Sequence, residues 1–75
     1  MNEEAFNLEI RRFLKSFGIR AQREIEKAVD AAINSGALKG QEVLPVRASL
    51  TMPGLLPPVH IDGEIALAGQ GPTSP

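Results

Sequence analysis

The chain has 75 residues, with eight basic and nine acidic side chains for a formal charge of −1, three phenylalanines, and no cysteine, tryptophan or tyrosine. That length allows one small domain, and the lack of cysteine excludes disulfide staples, thiolate metal sites and cysteine nucleophiles. The near-neutral balance argues against a dedicated nucleic-acid binder, and no apolar run approaches the ~18 residues of a membrane span, so a soluble, cytoplasmic protein away from the membrane is expected.

Apolar residues recur at helical spacing from Phe6 to Ile33, then alternate one-in-two from Val46 to Leu67. This change of period predicts helices followed by strands. Phe6, Ile10, Phe13, Leu14 and Phe17 form the first stripe and predict a helix over about residues 3 to 16. Asn2 is its expected N-cap, Glu3 and Glu4 suit the positive end of the macrodipole, and Gly18 is the expected left-handed stop. Ile25, Ala28, Val29, Ala32 and Ile33 form a second stripe and predict a helix over about residues 21 to 34, ended by Asn34-Ser35-Gly36. Alanines at 28 and 32 would admit the aromatic stripe of the first helix in an antiparallel helical hairpin. Ala21 stands where a capping residue belongs, so Ala21→Ser should stabilise by about 0.5–1 kcal/mol if it is the N-cap.

After a loop over Ala37–Glu42, Val46, Ala48, Leu50 and Met52 alternate with Arg47, Ser49 and Thr51, the pattern of a strand with one dry face. Pro45 restricts the strand's start to a lead-in or an edge. Val59, Ile61, Ile65 and Leu67 alternate with His60, Asp62 and Glu64 to give a second strand, with Gly63 on the apolar side as a point of close approach or a bulge. Pro53-Gly54-Leu55-Leu56-Pro57-Pro58 connects the two. A competing reading puts the turn at Asp62-Gly63, which would leave arms of only three or four residues. The expected fold is α+β: a two-helix hairpin followed by a two-stranded antiparallel β-hairpin (ααββ), as a single domain over residues 1–67, with residues 68–75 as a disordered tail.

The chemistry in the chain is sparse. His60, Asp62 and Glu64 share one strand face, but one imidazole without cysteine falls short of a typical zinc ligand set, and a solvated face is expected instead. No nucleophile motif, dinucleotide fingerprint or P-loop is present, so no catalytic, cofactor-binding or metal residues are assigned and a non-enzymatic protein is expected. Arg11, Arg12, Lys15, Arg20, Arg23 and Lys27 make the stretch between residues 11 and 27 locally +4, a candidate anion patch. Solvated faces with intrahelical pairs at Arg20/Glu24, Arg23/Glu26 and Glu24/Lys27 explain the same pattern, and no aromatic is spare for base stacking. Leu55 and Leu56 make the connecting loop apolar, and a lone hairpin leaves edges that another chain can pair with; the same two leucines folded back over the helices would instead cap a monomeric core. Helix, turn, helix and hairpin also suggest a winged helix-turn-helix, but a third helix is missing.

Three stretches, Met1-Asn2-Glu3-Glu4-Ala5-Phe6, Gln22-Arg23-Glu24-Ile25-Glu26-Lys27-Ala28-Val29 and Asp62-Gly63-Glu64-Ile65-Ala66-Leu67, resemble a family of small bacterial, mainly proteobacterial, proteins classed as a domain of unknown function. The resemblance covers about residues 1 to 67. It implies a bacterial, soluble, single-domain protein and brings no site residues with it. The leading expectation is a small interaction module, a homodimer or a binder of a protein partner through the sheet edge and the Leu55-Leu56 loop. The alternative is accessory nucleic-acid or anion binding through the six basic residues.

Overall fold

The computed structural model describes residues 1–69. Three elements follow in order, α1 (Glu3–Ser35), β1 (Val43–Met52) and β2 (Leu56–Ala66). The chain divides into two compact units, Met1–Ala37 and Leu38–Pro75.

The first unit is one helix of 33 residues where two shorter helices are expected. At 1.5 Å per residue it is about 50 Å long. Asn2 caps it as expected, its Oδ1 accepting from the Ala5 N–H at 3.0 Å. Glu3 and Glu4 occupy the first turn. Gly36 ends it in the left-handed conformation (φ +87°), its N–H donating to the Ile33 carbonyl at 3.1 Å. Gly18 does not stop the helix and is not among the positive-φ glycines. A single interior glycine costs only about 1 kcal/mol relative to alanine, and neither proline nor a capping side chain adjoins it to supply a competing structure. The helical-hairpin half of the expected ααββ fold is therefore replaced by a single α1. Ala21 lies in mid-helix, so it is no N-cap.

The apolar pattern explains why one helix suffices. Phe6, Phe17 and Ala28 are spaced by 11, as are Ile10, Ala21 and Ala32. An 11-residue repeat averages about 3.67 residues per turn, close to the α-helical value, so the stripe stays on one side with little drift. The phase runs through residues 17 to 21 without the reset that a turn would impose.

The second unit is a two-stranded antiparallel sheet. β1 begins three residues earlier than its apolar alternation suggests and contains Pro45, which pairs with Glu64. The Leu67 N–H donates to the Glu42 carbonyl at 2.9 Å. By alternation from that bond Pro45 falls at a non-hydrogen-bonded position, where its missing N–H faces outward and costs the ladder nothing.

The turn is Met52-Pro53-Gly54-Leu55, closed by the Leu55 N–H to the Met52 carbonyl at 2.9 Å. Proline followed by glycine at φ +78° is the signature of a type II turn. The register shifts between Leu50/Val59 and Met52/Leu56, so that Thr51 opposes both Pro57 and Pro58. This bulge holds two residues that cannot donate to a ladder. Asp62 and Gly63 pair regularly with Arg47 and Val46, which rules out the competing turn at that position. Gly63 is accordingly no bulge; a Cβ there would meet Val46 Cγ1 at an ordinary 3.7 Å.

β2 gives way to a short turn at Leu67–Gly69, where the Gly69 N–H reaches the Ala66 carbonyl at 3.0 Å. Residues 68 and 69 of the expected tail are thus in a defined turn; the remainder of that expectation lies outside the described residues.

Candidate interaction surfaces

Among the described residues none is buried. On α1 the stripe of Phe6, Ile10, Phe13 and Phe17 keeps 49, 39, 56 and 45% of its surface exposed, and Ala21, Ile25, Val29 and Ala32 continue it half-buried. The hairpin has its own apolar face. Leu44, Val46, Ala48 and Leu50 stand opposite Ile65, Gly63, Ile61 and Val59, so every cross-strand pair on this side is apolar or glycine. A single helix or a two-stranded sheet has no second layer of its own to cover such a face.

The other face of the hairpin is polar, and two of its cross-strand pairs are joined by side-chain hydrogen bonds. Arg47 grips Asp62 through two bonds, Nε to Oδ1 at 2.7 Å and Nη2 to Oδ2 at 3.3 Å. Ser49 Oγ and His60 Nδ1 lie 2.9 Å apart. Of the three residues weighed as a metal cluster, Asp62 and His60 each take a cross-strand partner and Glu64 stands opposite Pro45. Among the described residues no group of three or more His, Asp or Glu side chains is placed to hold a metal ion.

The six basic residues of the candidate anion patch all lie on α1. With the helix unbroken, Arg11, Arg12, Lys15 and Arg23 fall on the half turned away from the phenylalanine stripe, Lys27 flanks it, and Arg20 lies beside Phe13 and Phe17. Arg12 pairs with Glu9 at 3.0 Å and Lys27 with Glu24 at 3.4 Å. Glu26 accepts from Gln22 at 3.0 Å instead of pairing with Arg23. Leu55 and Leu56, expected to act as one loop, are separated: Leu55 projects from the turn with 78% of its surface exposed, whereas Leu56 is half-buried as the first residue of β2.

Within the second unit Glu42 organises the loop that leads into β1. Its carboxylate accepts backbone N–H groups from Lys39 at 2.9 Å, Gly40 at 3.0 Å and Gln41 at 3.2 Å. These donors, that of Lys39 foremost, hold its pKa below the ordinary glutamate value by stabilising the charged form.

A family model matches residues 1–68, which takes in α1, β1 and β2. The chain belongs to a family of unknown function, DUF6494. No curated protein and no solved structure was found to match it. The resemblance read from three stretches of sequence is thus to a real family, and the DUF6494 match ends inside the turn that follows β2. No described helix of this DUF6494 chain is long and apolar enough to cross a membrane, because charged residues punctuate α1 throughout.

Two features are missing from the sequence reading. The Glu42 cradle leaves little trace in sequence, since any acidic loop residue before a strand looks alike. The 11-residue phase that runs through position 18 is readable in the sequence and is the signal for a single helix.

Proposed function

We propose that this DUF6494 chain is a non-enzymatic interaction module whose apolar faces are covered by another protein chain, self-association being the favoured form. One observation carries this reading: no described residue is buried, although α1 and the hairpin each present a full apolar face. A domain without a core does not offset the conformational entropy of ordering its chain. Helices in water draw most of their stability from packing an apolar face, so α1 needs a cover. Leu55 at the hairpin tip and the unpaired strand edges extend the surface available to a partner.

Anion binding draws less support, because Arg12 and Lys27 are engaged by carboxylates of their own helix and Glu24 and Glu26 lie among the cations. The test is a dilution series followed by circular dichroism. Helicity and melting temperature fall with dilution if association supports the fold; a melt independent of concentration contradicts the reading.

A further inference from the structure

The helix stripe carries enough pattern to specify its partner and orientation. Its first half is large, Phe6, Ile10, Phe13 and Phe17, and its second half is dominated by alanine, at 21, 28 and 32. Large-against-small complementarity of this kind would suit a helical hairpin, but α1 runs straight through the expected bend and cannot fold back on itself. The complementarity is then available only between two helices.

The positions fit a twofold axis. Phe6 and Ala32, Ile10 and Ala28, Phe13 and Ile25, and Phe17 and Ala21 are each equidistant from Ile19. We infer, resting on the self-association reading above, that α1 pairs with α1 of a second copy of this chain in antiparallel orientation, about a twofold axis at the level of Ile19. Each large side chain of one copy then stands over its smaller counterpart in the other, and the summed size of facing residues stays more even along the interface. In a parallel pair the phenylalanines would meet phenylalanines at one end and alanines meet alanines at the other. Interhelical distance follows the side chains at the contact, so that arrangement splays the helices and leaves the alanine end or the aromatic end poorly packed.

The available area suits such a pair. Phe6, Phe13 and Phe17 are each about half exposed, so each offers roughly 100 Å² of the 150–250 Å² that an aromatic buries when fully covered. Six such side chains, with the aliphatic residues of the stripe and the stems of the flanking arginines and lysines, bring the total to about 1,200 Å², the lower bound of a specific interface. Glu24 lies on the stripe, eleven residues after Phe13, where it is paired with Lys27 at 3.4 Å and so is not a lone charge at the seam.

Orientation is tested on the full chain by pulsed electron–electron resonance. Because the protein has no cysteine, Asn7→Cys and Ser16→Cys each introduce a single spin-label site outside the paired residues. An antiparallel pair puts the two copies of position 7 about 36 Å apart along the axis and those of position 16 about 9 Å apart. The interspin distance for Asn7→Cys should therefore exceed that for Ser16→Cys by roughly 20 Å once the 8–10 Å helix separation is included.

Equal, short distances at both sites would mean a parallel pair and overturn the inference while leaving self-association intact. A monomeric mass with no dipolar coupling would remove both. A size swap gives an independent check. Phe6→Ala and Ala32→Phe should each weaken association about tenfold or more, and the double variant should recover most of the loss. Additive losses in the double variant would contradict the pairing.

Discussion

At the residue scale, Glu42 makes the clearest pH prediction. Its folded pKa is lowered, so the stabilisation it gives is present above the unfolded value and is lost as pH falls through the folded one. In a carbon-detected titration the Glu42 carboxyl should titrate below a glutamate in a model peptide. Glu42→Gln should lower the melting temperature at neutral pH, with the difference vanishing in acid; an equal difference at both pH values would contradict the cradle. Gly54 makes another. Its φ of +78° is one that side chains rarely adopt, so Gly54→Ala should destabilise by about 1 kcal/mol in a denaturant titration. Ala21 shows how a residue's meaning follows its element. If it were an N-cap, serine would stabilise; in mid-helix Ala21→Ser should instead cost about 0.5 kcal/mol in a thermal melt.

At the element scale, the hairpin was largely legible in sequence and the helix was half legible. Alternation of Val46, Ala48 and Leu50 with Arg47 and Ser49, and of Val59, Ile61 and Ile65 with His60, Asp62 and Glu64, identifies both strands and their apolar side, which is not dry within one chain: Ile61 is 60% exposed. The strand ends were harder to see. Prolines 45, 57 and 58 look like breakers, and they are tolerated here because one points outward and two share a bulge. For α1 the caps at Asn2 and Gly36 are readable from residue type, whereas Gly18 looks like a stop and is not one. Glycine punctuates a helix only when the backbone takes up positive φ there, and the phase of the apolar stripe is the better witness of continuity. Gly18→Ala separates the two cases. A Cβ at that position meets nothing within 4 Å, so the variant should gain about 0.5–1 kcal/mol if the helix is continuous. A loss of stability in a thermal melt would mean that residue 18 ends a helix.

At the scale of the whole molecule, a sequence read as one chain assumes that its complementary surfaces meet within that chain. The match of the aromatic half of α1 to its alanine half was visible in the residues, but whether it closes within a chain or between chains depends on the backbone at position 18. The six basic residues illustrate the same limit, since the place of Arg20 beside the phenylalanine stripe, apart from Arg11, Arg12 and Lys15, emerges only once the helix is continuous. With that continuity in place, helix and hairpin each present an apolar face, which the proposed association would cover. The most direct test is sedimentation equilibrium of the 75-residue chain across a hundredfold range of concentration. If the chain self-associates, the mass should approach twice the 8.0 kDa of one chain as concentration rises; a mass of one chain throughout, with full helicity retained, would contradict self-association.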